Sequence, residues 1–205
     1  MRQRGASSAG GKVFVISSPS GGGKTTVVQE LLKRVPGVVR SVSVTTRPRR
    51  PSEHSGLDYR FVSLAAFRHL RERGALLEWA KVHQAFYGTP KAPIDRMIAS
   101  GRDVILSIDV QGAKQVRRRF GKRAVLVFLL PPSIRDLRAR LIKRRTETPE
   151  SIRRRLEAAH RELACVRWYD YQVINRSLEL AVDHLAAIVT AERLRVQSVN
   201  GRGGG

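Results

Sequence analysis

The segment KVFVISSPSGGGKT, residues 12–25, places an apolar run, a glycine-rich turn and the start of a helical pattern in immediate succession. Residues 12–17 are apolar and rich in β-branched side chains, which predicts a short buried strand. From Thr25 to Arg34 apolar residues recur at helical spacing, and Pro36-Gly37 then stops the predicted helix. This part of the chain is therefore predicted to be a strand–loop–helix unit.

Strand and helix patterns alternate through most of the remaining chain. Buried strands are predicted at Val104–Asp109, Ala124–Leu130 and Gln172–Ile174. The helices predicted between and after these strands are Val110–Phe120, Ser133–Arg144, Pro149–Trp168 and, approximately, Leu178–Val196. Alternation of this kind predicts an α/β fold with a parallel sheet core and helices on both faces.

Residues 41–93 have a different character from the rest of the chain. Short strand-like pieces surround one helix that Ser63 opens, and turn signals such as Gly88 and Pro90 are dense. We interpret this segment as a small mixed α/β lobe inserted into the core. The core itself is then predicted to consist of residues 12–40 and 94–196.

Three other segments are polar and basic. The stretch at about residues 142–155 is rich in arginine and is predicted to be a mobile flap, or helical lid, between two helices. Residues 1–11 and 197–205 are rich in glycine, serine and arginine, which predicts flexible tails.

The composition limits the classes of protein and the compartment. The chain has 205 residues, 41% of them hydrophobic, which suits one α/β domain with a real core. Cys165 is the single cysteine, so no intrachain disulfide can form and a reducing compartment is expected. No apolar run is long enough for a signal peptide or a bilayer span, so we expect a cytoplasmic protein with no membrane partner.

The charge is strongly basic, with 39 Lys and Arg against 17 Asp and Glu, or +22. Such a balance favours anionic ligands such as nucleotides, although most of this charge is expected on solvated faces. A nucleic-acid-binding protein is an alternative, but no recognisable RNA- or DNA-binding motif is present. We therefore expect no specific nucleic-acid partner.

Residues 18–25 resemble the phosphate-binding P-loop, with Ser18 at the position of the first glycine. Glycines allow successive backbone N–H groups to surround phosphate oxygens, and the helix that follows adds its positive end. Lys24 is expected to reach the β and γ phosphates of ATP, and the Thr25 hydroxyl to ligate Mg²⁺. The predicted ATP-binding residues are Ser18, Pro19, Ser20, Gly21, Gly22, Gly23, Lys24, Thr25, Thr26 and, for the base, Asn175.

Beyond the P-loop, several motifs resemble those of guanylate kinases over roughly residues 12–194. They are SVSVTTRPRR at 41–50 with Glu53, Gly56, Asp58 and Tyr59, LEWA at 77–80, FYGTP at 86–90, IDVQG at 108–112, and lid positions around Arg140, Arg144 and Arg155. The resemblance implies a P-loop kinase fold and the transfer of a phosphoryl group from ATP to GMP, with dGMP as a further expected substrate.

The resemblance also implies which residues bind GMP: Ser43, Arg47, Arg50, Tyr59, Glu78, Tyr87, Thr89 and Asp109. Arginine forks and phenolic hydroxyls suit a phosphate dianion, so Arg47, Arg50 and the two tyrosines are assigned to the phosphate. A carboxylate can accept from both guanine N1–H and N2–H₂, which assigns Glu78 and Asp109 to the base. Adenine lacks an N1–H donor, so AMP is expected to be rejected.

The resemblance assigns the chemistry to Lys24, Arg47, Arg140, Arg144 and Arg155, which are expected to hold and neutralise the transferring group. Mg²⁺ is the expected cofactor. Many family members carry a carboxylate two residues before Asp109, where this chain has Ser107, so Mg²⁺ is expected on Thr25, nucleotide oxygens and waters.

Two further alternatives remain beside the kinase. One is a non-catalytic guanylate-kinase-like binding module, although the phosphate-binding residues are present in this chain. The other is a related kinase that acts on a different phosphate acceptor, which the set of Ser43, Glu78 and Thr89 disfavours. A monomer and a homodimer are both compatible with the sequence.

Overall fold

The fold contains two sheets, one large and parallel, the other small and mixed. The computed structural model describes residues 10–51, 53–82, 84–143 and 148–196. The strands are β1 (Val13–Ser17), β2 (Val38–Arg40), β3 (Val44–Thr45), β4 (Arg60–Phe61), β5 (Leu76–Val82), β6 (Ala85–Pro90), β7 (Asp103–Ser107), β8 (Ala124–Leu130) and β9 (Tyr171–Ile174).

The large sheet has the order β2-β7-β1-β8-β9, and all its strand pairs are parallel. Strand β1 lies at its centre with every residue buried, and Val15 pairs with Leu106 on one side and Leu126 on the other. Because both faces of a parallel sheet are covered, its central strands consist of continuous apolar runs rather than alternating ones.

Helices cover both faces of the large sheet. The helices of the described residues are α1 (Lys24–Arg34), α2 (Leu64–Glu72), α3 (Lys91–Ala99), α4 (Val110–Phe120), α5 (Ile134–Lys143), α6 (Pro149–Leu163) and α7 (Leu178–Leu194). Of these, α2 packs on the small sheet, and α5 packs on α6. Helices α1 and α7 pack on the face that carries Phe14 and Ile16. Helices α3 and α4 pack on the opposite face, where Ile94 and Val116 meet Val15.

The small sheet has the order β4-β3-β6-β5, with β3 and β4 parallel and the other pairs antiparallel. Helix α2 begins where the Ser63 hydroxyl accepts a hydrogen bond from the Ala66 amide, as the sequence predicts, and it buries Phe67. Strand β5 lies against α4 of the core, so one edge of the small sheet is anchored to the large one.

The predicted fold class is confirmed, with three local differences. Strand β2 was missed because three residues after Pro36-Gly37 carry too little periodicity. Gly88 and Pro90, interpreted as turn signals, lie in β6, where Gly88 pairs with Trp79. Helix α3 was missed because no side chain caps its start and a proline lies in its first turn.

The helices predicted on either side of the lid segment are present, with slightly different ends. Helix α5 runs to Lys143, and α6 begins at Pro149 with the Thr148 hydroxyl accepting from the Ser151 amide. The predicted helix 149–168 ends at Leu163, before a short 3₁₀ turn at Val166–Trp168.

Two expectations concern the chain ends and the lobe boundary. Gly11, assigned to a flexible tail, donates its amide to the Ile98 carbonyl at 2.9 Å. The boundary between residues 93 and 94 falls inside α3, and the domain limits otherwise remain a prediction. Among the described residues, no helix combines the length and apolar character required to cross a bilayer.

Candidate functional site

A cavity of about 1090 Å³ lies between the glycine-rich loop, the small sheet and α6. Residues predicted to bind ATP and residues predicted to bind GMP both line this cavity. Those along its wall include Ser18, Pro19, Ser20, Gly21, Gly22, Gly23, Lys24, Thr25 and Thr26 from the loop, and Ser43, Arg47, Arg50, Tyr59, Glu78, Tyr87, Asp109 and Arg155 from elsewhere. All of these loop residues lie within the P-loop motif except Thr26, which directly follows it.

The loop from residue 18 to residue 23 bends into the first turn of α1. Gly21 and Gly23 have φ values of +94° and +89°, which side chains of L-residues rarely allow. Lys24 follows at the first position of α1 and donates from Nζ to the Ile108 carbonyl at 2.8 Å. Burial lowers the pKa of Lys24, and the nearby Asp109, Glu162 and Glu78 carboxylates oppose that change.

Two of the predicted site residues lie behind the loop and do not form part of the cavity wall. The buried Asn175 donates from Nδ2 to the Gly22 carbonyl at 2.9 Å. Arg140 on α5 donates to the same carbonyl at 3.3 Å and to the Asn175 carbonyl at 3.1 Å. Both side chains thus hold the loop through the Gly22 carbonyl. Their contacts with nucleotide remain predictions.

Helix α6 closes the cavity over the loop. Arg155 donates from its guanidinium to the Ser20 hydroxyl at 2.6 Å, and Arg154 also lines the cavity. The sequence analysis assigned no role to Arg154. Arg144, predicted to be catalytic, lies outside the described residues.

The sequence analysis also missed Glu162, a carboxylate on the cavity side of α6. No described residue donates a hydrogen bond to its buried Oε2, and burial raises the pKa of Glu162 to about 7, against the lowering effect of Lys24. A signal was present, because Glu162 lies seven residues after Arg155 and three after Ala159, on one face of a helix. A charged residue on the helix face that also carries Arg155 is a candidate for the same binding site.

On the opposite side of the cavity, Arg47 is held by several groups. It donates to Glu53 Oε1 at 2.6 Å and to the Tyr87 hydroxyl at 3.2 Å, and its guanidinium carbon lies 5.7 Å from the Tyr59 ring centre. Glu53 also accepts from the Arg50 amide at 2.9 Å. Glu53 thus fixes both the Arg47 side chain and the backbone at Arg50, a role that the sequence analysis did not assign.

The same contacts affect the ionisation of Glu53. Burial alone would raise the pKa of Glu53, but the hydrogen bonds from Arg47 and the Arg50 amide, with both positive charges, lower it overall. The carboxylate therefore stays ionised beside the arginines. Arg50 itself is exposed at the cavity rim.

Deeper in the small sheet, Glu78 and Thr89 form a buried polar pair. The Thr89 hydroxyl donates to Glu78 Oε1 at 2.6 Å, and Ser43 Oγ lies 3.4 Å from Thr89 Oγ1. Glu78 is only 3% exposed, and this burial raises its pKa to about 7. Antiparallel pairing of β5 with β6 places Glu78 opposite Thr89, which accounts for the contact.

Asp109 lies between the two sides, at the carboxyl end of β7. Its Oδ1 accepts from the Gly112 amide at 2.9 Å and caps α4, while Oδ2 accepts from Gln111 Nε2 at 3.2 Å. The carboxylate therefore has a structural role here. Its predicted contact with guanine stays a prediction.

The donor groups around Thr25 fit a magnesium ion that keeps most of its water. Thr25 is exposed at the second position of α1, and the cavity also contains the carboxylates of Asp109 and Glu162. Within the described ranges no three His, Cys, Asp or Glu residues form a metal cluster. Mg²⁺ in nucleotide sites is commonly held by one or two protein groups, phosphates and waters, which these residues can supply.

Comparisons with known proteins identify the family of the chain. A family profile described as guanylate kinase matches residues 10–192. A guanylate kinase of Chelativorans sp. (strain BNC1) is 51% identical over 90% of this chain and 85% of that protein, and one of Aromatoleum aromaticum is 50% identical over 90% of each. The crystal structure of guanylate kinase from Anaplasma phagocytophilum aligns with a TM-score of 0.79 and 34% identity, covering 92% of this chain and 89% of that one. The chain therefore belongs to the guanylate kinase family.

Proposed function

We propose that this protein transfers the γ-phosphoryl group of ATP to GMP and forms GDP and ADP. The observation that carries the proposal is the single cavity with a P-loop on one side and Arg47, Tyr59, Tyr87 and Glu78 on the other. Phosphoryl transfer requires the two phosphates to meet in line, in a site that excludes water. A shared cavity between two anion-binding surfaces provides that arrangement.

On the donor side, the backbone N–H groups of the loop and the start of α1 hold the phosphates of ATP. Lys24 is the cation that neutralises the charge at the β and γ phosphates. Its present bond to the Ile108 carbonyl keeps Nζ inside the cavity, so little reorganisation is needed when ATP binds.

On the acceptor side, Arg47 and Arg50 hold the phosphate of GMP, with hydroxyl donors from Tyr59 and Tyr87. The Glu53 carboxylate and the Tyr87 hydroxyl already orient the Arg47 fork. The GMP phosphate oxygen is an anionic nucleophile, so no general base is required. The acceptor residues therefore contribute position and charge, not proton transfer.

Guanine is selected by Glu78, which accepts from N1–H and N2–H₂, with Ser43 and Thr89 near O6. The base must supply these donors, because burying a carboxylate that receives no hydrogen bond from the ligand is strongly unfavourable. AMP cannot supply an N1–H donor. The pKa of Glu78, raised to about 7 by burial, falls again when guanine donates to the carboxylate.

The lid arginines complete the site. Arg155 already lies over the loop, bonded to Ser20, and Arg144 and Arg140 belong to the same proposed set. Guanidinium groups around the equatorial oxygens stabilise the charge of the transferring group. Thr25 is the residue that would hold Mg²⁺, with Asp109 and Glu162 accepting from its bound waters. When bound, Mg²⁺ neutralises phosphate charge.

A substrate panel tests the proposal directly. ADP release from Mg²⁺-ATP is followed with GMP, dGMP, AMP, UMP and CMP as acceptors. We expect turnover with GMP and dGMP, little with the other three, and loss of turnover in excess chelator. Equal activity with AMP would contradict the assignment of the base site. A cytoplasmic location remains part of this proposal, with either a monomer or a homodimer.

The same assay, together with an RNA-binding titration, separates the kinase from two of the alternatives kept from the sequence. A non-catalytic binding module would bind guanine nucleotide without ADP release, although Lys24, Thr25, Arg47 and Arg50 are all present in this chain. A nucleic-acid-binding protein would show salt-dependent RNA binding and no turnover. The buried Glu78 favours the kinase, because a phosphate-backbone surface has no use for a buried carboxylate.

A further inference from the structure

The first turn of α4 and the carboxylate of Glu78 are packed against each other unusually closely. Gly112 is the third residue of α4 and is buried. A Cβ atom on Gly112 would lie 2.3 Å from Glu78 Oε2 and 2.9 Å from Glu78 Cδ. Real Cβ atoms essentially never approach this closely, and the carboxylate cannot move freely because Thr89 holds its other oxygen at 2.6 Å.

The backbone conformation does not explain the glycine. Gly112 is not among the residues with positive φ, and it lies within the helix, where alanine is intrinsically favoured over glycine. Asp109 caps the Gly112 amide, and any residue except proline could donate that hydrogen bond. A Cβ would also meet Ile108 Cδ1 at 3.2 Å, but the Glu78 carboxylate approaches far more closely and is therefore the main reason for a residue without a side chain.

A second contact holds the strand that carries Glu78 beside the first turns of α4. Gln115, one turn after Gly112, accepts from the Trp79 amide at 3.2 Å and donates to the Trp79 carbonyl at 2.7 Å. These two bonds hold the backbone of β5 beside α4 at the residue next to Glu78. The helix of the large sheet thus sets the position of a side chain that belongs to the small sheet.

We propose that Gly112 is a specificity-determining positioning residue, whose missing side chain lets the Glu78 carboxylate lie against α4 in the orientation that meets guanine. The expected effect on guanine recognition rests on the proposed function. The close contact between Gly112 and Glu78 does not depend on it. A methyl group at residue 112 displaces the carboxylate. The displaced group loses its alignment with the two guanine donors, while the ATP side, on the loop and α1, is unaffected.

The test begins with Gly112→Ala in the full chain, with Lys114→Ala, an exposed position on the same helix, as the matched control. We expect the KM for GMP to rise about tenfold to a hundredfold, the KM for ATP to stay unchanged, and the GMP-to-IMP ratio of kcat/KM to fall. IMP lacks the 2-amino group, so this ratio reports the alignment of the carboxylate. Unchanged GMP kinetics in Gly112→Ala would overturn the inference.

A double-mutant cycle separates positioning from a general structural effect. Glu78→Asp is shorter by one methylene, so Gly112→Ala should cost much less GMP affinity in the Glu78→Asp background than in the wild type. Equal costs in both backgrounds would contradict the proposal. No turnover of GMP by the wild type would instead refute the proposed function.

The contact can also be tested without any substrate. If Gly112→Ala does not fold, Gly112→Ala combined with Glu78→Ala should fold, because the carboxylate that clashes is gone. Thermal unfolding followed by circular dichroism measures both proteins. Failure of the double variant to recover would show that Gly112 is required for another reason and would overturn the inference.

Discussion

The donor side of the cavity is made from one continuous segment of chain, whereas the acceptor side collects side chains from separate elements. The loop at residues 18–25 presents mainly backbone groups, which recognise phosphate in any nucleotide. Arg47, Tyr87 and Glu78 come from a loop and from two strands, and they are held by bonds to Glu53 and Thr89. In the proposed function the donor side thus provides charge, and the acceptor side provides choice of substrate.

Burial also shifts the pKa of the main charged group on each side in opposite directions. Lys24 is a half-buried cation whose pKa burial lowers against the effect of nearby carboxylates, whereas Glu78 is a buried carboxyl group whose pKa burial raises to about 7. In the proposed function each charged form is therefore stabilised by its ligand, phosphate for the lysine and guanine donors for the glutamate. Changes on the donor side should affect the rate with every acceptor, and changes on the acceptor side should affect selectivity.

The largest effect is expected for Lys24→Met. Loss of the cation at the transferring phosphate should lower kcat by about 10³-fold, with a smaller change in the KM for GMP. Lys33→Met on the same helix is the control, because Lys33 is exposed and forms a surface ion pair with Glu30. Steady-state kinetics with saturating ATP measure both. A loss of less than about tenfold would show that Lys24 is not the main donor-side cation.

A smaller but more selective effect is expected for Glu78→Gln. The amide keeps the shape but presents a donor to the guanine donors, so kcat/KM for GMP should fall by about 10²- to 10³-fold. The KM for ATP should stay the same. Glu72→Gln, at an exposed position of α2, is the control in the same lobe. Equal losses of kcat/KM for GMP and for ATP would contradict the distinction between the donor and acceptor sides.

A still smaller effect is expected for Glu53→Gln. The variant retains a hydrogen-bond acceptor for Arg47 but loses the charge that holds its fork, so the KM for GMP should rise by about tenfold. The value of kcat should change less, because Glu53 acts through Arg47. If GMP binds more tightly to this variant, Glu53 competes with the phosphate for Arg47 and does not position it.

The smallest effect concerns stability and pH in the ligand-free protein. The carboxyl of Glu78 has a pKa of about 7 in the fold against an ordinary value of 4.5, so the unfolded chain loses its proton first. Stability should therefore fall as pH rises from about 4.5 to about 7, by on the order of 2 kcal/mol for this group. Urea unfolding at about pH 5 and about pH 8 should show a flatter profile for Glu78→Gln. Parallel profiles would mean that Glu78 is not buried in its neutral form.

The difference between the two sides also explains what could be predicted from the sequence. The donor loop is local, so the strand, the glycines and Lys24 are visible in one short segment. The central strands β1, β7 and β8 are continuous apolar runs and were predicted within a few residues of their ends. The choice of guanine depended on the family resemblance, because Glu78 and Thr89 are distant in sequence.

What the sequence analysis missed depends on contacts across elements. Glu162 shares a helix face with Arg155, but its burial in the cavity is visible only in the structure, and Glu53 is distinguished only by its bond to Arg47. Gly88 predicts a turn by its type, yet a Cβ there would lie 2.9 Å from Leu76 Cδ1, so it is needed inside a strand. Such requirements arise from packing, which residue type and spacing do not reveal.

The central claim is that the two anion-binding sides face each other across one cavity. A compound that joins adenosine and guanosine through a polyphosphate chain tests it, with binding to the wild type measured by isothermal calorimetry. We expect the linked compound to bind at least about 10²-fold more tightly than GMP, and Lys24→Met and Glu78→Gln each to weaken it. Binding no tighter than that of GMP alone, or insensitive to either substitution, would contradict the account.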